Sequence, residues 1–280
     1  MEQAILGSLD RIETGENVRI LYAVESGSRA WGFASTDSDW DVRFIYLRRP
    51  SWYLSVQRRR DVLEFPISDG LDVSGWDLKK ALVLFAKSNP PLLEWLRSPS
   101  VYRETFSVAK QLRELSSSYF SSRSCMHHYL HMAEGNYREY LQGDPVRVKK
   151  YFYVLRPVLA CRWIAAHGTM PPMEFASLIT DQLPVALQPL VHQLLERKRS
   201  GDELASGPRI PEINDFVNRE LSRLRESLAG IPRSPSPDWE RLDQAFRDAL
   251  GEVWGEAVEH PDAADEAGAR SKAGWRRPRS

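Results

Sequence analysis

The chain has 280 residues, room for one large core or two modest ones, and its 38 basic and 38 acidic side chains give a formal net charge of zero. That balance excludes a molecule-wide basic footprint for duplex nucleic acid, although a local basic groove stays open. Two cysteines, Cys125 and Cys161, cannot build a disulfide framework or a four-thiolate zinc site.

Met1 leads into a polar helix with Ile5, Leu9 and Ile12 on one face, which is not an apolar signal core. No apolar run is long enough to cross a bilayer, so a soluble, cytoplasmic chain with no membrane partner is expected. Val18–Val24 (VRILYAV) reads as a buried strand. ESGSRAWGF follows, then a Ser-Thr-Asp-Ser turn, then DWDVRFIYL as a second strand. Arg58–Ile67 suggests a third strand and Leu71–Val73 a short fourth. Ser74, three residues before Asp77, has the form of a capping box opening a helix over Leu78, Leu82 and Phe85. Asn89-Pro90-Pro91 stops that helix.

From Leu92 onward the pattern is helical throughout: Val108–Leu115, Tyr119–Leu141, Val146–His167, Met173–Ile179 and Val185–Arg199. A soft boundary falls near Pro99–Phe106. The organisation expected is residues 1–100 as an α+β domain, 101–230 as a helical domain, and 231–280 as a linker and tail. Within that last part IPRSPSPD is the linker, Trp239, Leu242, Phe246 and Leu250 mark a short amphipathic helix, and residues past Glu259 read as disordered.

Side chains alternate along a strand, so Asp39 and Asp41 share a face, roughly 6.5–7 Å apart along the chain. Trp40, Val42 and Phe44 turn to the other face, into a core. Two ionised carboxylates side by side in a half-buried strand repel and are costly to desolvate, so something cationic must offset them. A divalent metal does this economically, because Mg²⁺ takes one or two carboxylates and completes its shell with substrate phosphates. Two such ions make the clamp used for in-line phosphoryl displacement. Arg43 lies on the same face and is the alternative counter-ion. Gly27-Ser28, at a strand end before a helix start, offers backbone N–H groups and a hydroxyl to a triphosphate, with Arg29 as a fork for phosphate oxygens. A lone Gly-Ser or a lone D-x-D is common on surfaces. The order strand, G-S, G-x-x-x-x-x-S-D-x-D, strand is far more specific.

Gly27-Ser28, Gly32 and Ser38-Asp39-Trp40-Asp41 resemble the signature of the DNA polymerase β nucleotidyltransferase superfamily. More narrowly, ESGSRAWGF, DSDWDVRFIY, GWDLKKAL, KSNPPLLEWL and KKYFYVLRPVLACRWI, spread over Ala23–Ala165, resemble a bacterial and phage family of RNA-repair-pathway, RNA-ligase-associated polymerase-β-like proteins. The resemblance implies a mixed-sheet palm over residues 1–100, with a helical domain behind it. It also implies use of Mg²⁺, two ions, and of an NTP, ATP first, with transfer of a nucleoside monophosphate to an acceptor hydroxyl. An RNA end is the acceptor it points to, with an RNA ligase or a toxin as a protein partner.

Members of that superfamily bring a third acid from a later strand. Asp61, Glu64, Asp69, Asp72 and Asp77 compete. Asp77 suits a helix cap, Asp69 a turn and Asp61 an exposed strand start. Asp72, between Leu71 and Val73, is the choice, with Glu64 as runner-up; the role is metal ligand and base toward the acceptor. Lys149-Lys150 opens a helix against its dipole, and similar helices in two-domain relatives reach the triphosphate, so Lys150 is assigned to it. Lys87 sits at a helix C-terminus, where a lysine is favourable without any ligand. His127, His128 and His131 lack the glutamate and third ligand of a zinc motif and suit a solvent-facing or acceptor-facing role. Tyr119, Tyr129, Tyr137, Tyr140, Tyr151 and Tyr153 could stack bases, although packing between helices explains most of them. Two other functional readings stay open: the same chemistry on a protein (toxin–antitoxin adenylylation) or a small molecule, and an inactive nucleotide-binding module.

Overall fold

Ile5, Leu9 and Ile12 form the buried stripe of α1 (Glu2–Glu16), which ends at Asn17 in the left-handed conformation, φ 52°. In the computed structural model, which describes residues 1–200 and 206–255, that stripe packs on one face of a five-stranded sheet. The tail expected past Glu259 lies outside the described residues. Along the chain come β1 (Arg19–Glu25), α2 (Gly27–Ala30), β2 (Trp40–Leu47), α3 (Pro50–Tyr53), β3 (Val62–Glu64), β4 (Leu71–Asp77), α4 (Leu78–Ala86), α5 (Pro90–Trp95) and β5 (Val101–Glu104). The sheet order is β3-β4-β2-β1-β5. The β2–β4 pair is parallel and the others are antiparallel, so the sheet is mixed and the fold class is α+β.

Alternation along β2 sends Val42, Phe44 and Tyr46 toward α1, and Ile45 and Leu47 toward the helices on the opposite side. Asp41 and Arg43 share that second side but come earlier in the strand. The strand is therefore polar where the helices leave a cavity and apolar where they touch it. A register irregularity in β1 between Ile20 and Tyr22 turns both Leu21 and Tyr22 toward the helices.

Three expectations are corrected in this half. The third strand is only Val62–Glu64. The fourth runs on through Asp77, because its parallel ladder with β2 continues to the Tyr46–Asp77 pair. Ser74 is thus a strand residue; Asp77 itself caps α4, its carboxylate accepting the Lys79 N–H at 2.9 Å. Gly75 suits this ladder, since a Cβ there would stand 2.2 Å from the Phe44 ring. Finally, residues 101–104, expected at the start of an all-helical region, add β5 to the free edge of β1.

The remaining chain supplies α6 (Val108–Tyr119), α7 (Ser122–Tyr140), β6 (Val146–Arg147), α8 (Val148–His167), α9 (Phe175–Gln182), α10 (Gln188–Arg199), β7 (Ser206–Gly207), α11 (Pro211–Gly230) and α12 (Trp239–Trp254). Strands β6 and β7 pair with each other. Helix α8 is buried on most sides and is flanked by α7, α9, α10 and α11. It is the axis of the helical half. Helix α11 was not anticipated, although Pro211 at its start and Ile213, Phe216, Val217, Leu221 and Leu224 at helical spacing carry the signal. Helix α12 returns to the sheet half: the Trp254 indole donates to the Arg48 carbonyl at 3.0 Å, and Phe246 meets Tyr53 edge-on. Among the described residues no helix is long and apolar enough to cross a membrane.

Candidate active site

The turn after β1 is built around the second aspartate. Gly27 has φ 60°, and a Cβ on it would stand 2.1 Å from Asp41 Oδ2. Only a residue without a side chain lets the turn close this tightly on the carboxylate. The Ser26 N–H donates to the Asp41 carbonyl at 2.8 Å. Behind it Glu25, fully buried at the end of β1, accepts the Asp41 N–H at 3.0 Å and the Tyr102 hydroxyl at 2.5 Å. Burial pushes the Glu25 carboxyl up, and those two hydrogen bonds pull it back.

Parallel pairing sets Asp41 directly across from Asp72. Arg43, two residues along on the same face, bridges them: its Nη2 lies 3.1 Å from Asp41 Oδ1 and 2.8 Å from Asp72 Oδ2. Its Nη1 donates to the carbonyls of Asp72 and Val42 at 2.9 and 3.1 Å. Burial pushes the Asp41 carboxyl up, Arg43 pulls it down, and Asp72 and Asp39 push it up again. Asp39 is exposed, just ahead of β2. Glu64, the other contender for third acid, lies across from Ser74 on edge strand β3 and is paired with Arg60.

Above these strands, between sheet and helices, is a cavity of about 550 Å³. Gly27, Ser28, Asp39, Asp41, Arg43 and Glu64 line its sheet side, whereas Asp72 stands behind Arg43 and is not among the lining residues; Asn136 from α7, Lys149, Tyr153 and Arg156 from α8, and Lys198 from α10 line its helical side. Lys198 is buried and donates to the Ser38 hydroxyl at 3.2 Å. The floor is a buried hydrogen-bonded cluster on Glu94. It accepts from Arg156 Nη1 at 2.7 Å, from the Trp31 indole at 3.0 Å, and from the Tyr129 hydroxyl.

Two assigned residues stand elsewhere. The Arg29 guanidinium is taken up by the main chain, donating to the Asp39 and Ser38 carbonyls at 3.1 and 2.7 Å while stacking 3.9 Å from Trp40. It holds the turn that carries Asp39. Lys150 is turned out of the cavity, its ammonium 3.4 Å from the Tyr140 ring centre; its neighbour Lys149 faces in. Successive helix residues point about 100° apart, so only one of two adjacent lysines can face a given wall. Of the tyrosines, Tyr119, Tyr129 and Tyr151 are buried, and Tyr129 and Tyr153 border the cavity. Glu25, Glu94 and Lys198 escaped the sequence reading, and Lys149 was seen there only as the neighbour of Lys150. Glu25 and Glu94 were visible as lone acids inside apolar runs.

The donor set on the sheet side is carboxylate and hydroxyl oxygen, the hard chemistry that Mg²⁺ takes. Among the described residues no three imidazole, thiolate or carboxylate groups converge as a ready cage. Mg²⁺ seldom uses such a cage; one or two carboxylates plus phosphate oxygens suffice. Asp39 and Asp41 offer that pair, with Asp72 behind the Arg43 bridge.

A mixed sheet that brings carboxylates of adjacent strands beside a Gly-Ser turn is the palm of a polymerase-β-superfamily nucleotidyltransferase. Residues 1–248 match the model of the RNA repair pathway DNA polymerase beta family, RlaP, and the chain belongs to that family. A curated relative, the uncharacterized protein YcgL of Bacillus subtilis (strain 168), is 49% identical over 255 residues, covering 91% of this chain and 98% of the relative. A crystal structure of a nucleotidyltransferase-like protein from Exiguobacterium sibiricum 255-15 aligns over 97% of this chain and 89% of its own at 12% identity. Its TM-score of 0.29 is too loose for residue-by-residue comparison.

Proposed function

We propose that the chain is a magnesium-dependent nucleotidyltransferase that moves a nucleoside monophosphate from an NTP, ATP first, to a hydroxyl at an RNA end. One observation carries this reading. Asp41, set across from Asp72 by strand register, lines a cavity of about 550 Å³ together with Asp39 and the Gly27-Ser28 turn. The family to which the chain belongs supplies the RNA connection.

In this reading the acceptor oxygen bonds to the α-phosphorus. The bond from that phosphorus to the β-bridging oxygen breaks, and pyrophosphate leaves with the electron pair. Asp72 takes the acceptor proton. Asp39 and Asp41 would hold Mg²⁺, as one ion or two, with Asp72 as the third ligand once released from Arg43, and the metal would supply charge neutralisation on the phosphates. Gly27 and Ser28 present their backbone to the triphosphate, and Lys149 adds positive charge from the helical side, the part first assigned to Lys150. Arg29 serves by fixing Asp39.

The test is incorporation from α-phosphate-labelled NTPs, each in turn, into RNA oligonucleotides with defined ends. Labelling should require Mg²⁺ and fall about a hundredfold or more in Asp39→Ala, an exposed residue whose loss leaves the melting curve unchanged. Label on a protein band and none on RNA moves the acceptor to protein. No transfer to RNA, protein or small molecule with any NTP overturns the enzymatic reading.

A further inference from the structure

A second cavity, about 850 Å³, opens between the end of α4, the α6–α7 junction and the strap of residues 231–238 leading into α12. Its charge is lopsided. Lys87, Arg123, Arg233 and Arg241 set four cations against the single carboxylate of Asp238, in a chain of zero formal net charge. That carboxylate is already engaged as the cap of α12, accepting the Arg241 N–H at 3.1 Å. Lys87, Arg233 and Arg241 form no ion pair with another described residue. Arg123 fastens the strap through the carbonyls of Leu228 and Ile231.

Aromatic faces accompany the charge. Trp239 is 44% exposed at the cavity, and the His127 and His128 rings stand 6.3 Å apart on its wall. Burial, His127, His131 and Lys87 hold the His128 pKa below its ordinary value, which favours the uncharged ring. Helix α7 then joins the two cavities. Ser124 and His128 line the basic one, Met132 and Asn136 line the catalytic one, and the four follow i, i+4 steps along a ridge that rises about 18 Å and winds about 120° round the helix.

We infer that the basic cavity binds the sugar–phosphate backbone of single-stranded RNA, and that the ridge on α7 carries the strand's end to the carboxylates. Separated cations interleaved with aromatic faces are what a single strand requires, because phosphates pair with the former and bases stack on the latter. A duplex would need a broader basic face than the four cations around this one cavity supply. An acidic peptide would satisfy the cations and leave the rings unused. The destination of the strand end rests on the nucleotidyl-transfer reading; binding in the cavity does not.

Fluorescence anisotropy with the full chain decides it, using a labelled RNA strand of about twelve nucleotides, the same RNA as a duplex, and a polyglutamate peptide. The strand should bind at least about tenfold tighter than either competitor. Combined Lys87→Glu, Arg233→Glu and Arg241→Glu should weaken it more than tenfold and lower the log–log salt slope by about two, three phosphate contacts at ~0.7 each. The Gln versions, milder toward folding, should act in the same direction. Arg11→Glu on α1, across the sheet, should bind as the parent does. Equal binding by the triple variant, equal loss in Arg11→Glu, or equal affinity for duplex or polyglutamate overturns the inference. A strand that binds but is never labelled faults the transfer chemistry alone. A strand that is labelled, yet held unchanged by the triple variant, faults the cavity alone.

Discussion

Gly27 holds φ at 60° with Asp41 Oδ2 where its own Cβ would stand. Gly27→Ala therefore carries two penalties: a left-handed conformation costing about 1–3 kcal/mol, and a carboxylate that must move. The expected outcome is a lower urea midpoint together with loss of NTP binding by calorimetry. A variant that melts and binds like the parent would show that the close approach is dispensable. This pairing was half legible in the sequence. The two-residue period placed Asp39, Asp41 and Arg43 on one face, and a glycine beside them is a familiar turn signal. What could not be read was which partners the cations choose. Arg29 reaches main-chain carbonyls of Ser38 and Asp39, and such partners leave no trace in residue type. The phase of α8 is fixed by packing, so the choice between Lys149 and Lys150 was also hidden.

Pro157 sits inside α8 and has no N–H to give the carbonyl of Tyr153, four residues back. Asn136 of α7 fills that gap, its amide donating to the Tyr153 carbonyl at 2.8 Å. Asn136, Tyr153 and Pro157 all line the catalytic cavity, so a helix defect is used to bind two helices at the site. Asn136→Ala should cost about 0.5–1.5 kcal/mol in the parent. In a Pro157→Ala background the restored N–H serves Tyr153 instead, and the same change should cost less. A double-mutant cycle by urea denaturation measures the difference, and strict additivity would refute it. Elements were mostly readable where periodicity ran long, with α11 the exception. β5 was missed because four residues between helices give a strand pattern too little length, and β4 was cut short because its last residues mimic a capping box.

Glu94 couples the halves of the chain. It sits on α5, between α4 and the edge strand β5, and draws donors from Trp31 just past α2, Tyr129 on α7 and Arg156 on α8. The Arg156 guanidinium also lies 4.2 Å over the Trp31 ring. Glu94 and Arg156 side chains are only 7% and 4% exposed, so removing one partner strands a buried charge. Glu94→Ala should cost about 3–5 kcal/mol, far more than an exposed pair such as Arg199–Glu196. Because the cluster spans both halves, thermal unfolding of the parent should be a single transition. Two resolved transitions in the parent would contradict that cohesion. Contacts separated by 62 residues are invisible to local pattern, which is why a cluster central to the cavity floor went unread.

With Arg43 lodged between Asp41 and Asp72, the sheet brings its own neutraliser. The ladder can zip up in a medium stripped of divalent cations, unlike small domains whose folding waits for a metal. Assembly and loading are thereby separate events, and whatever docks there meets a surface already finished.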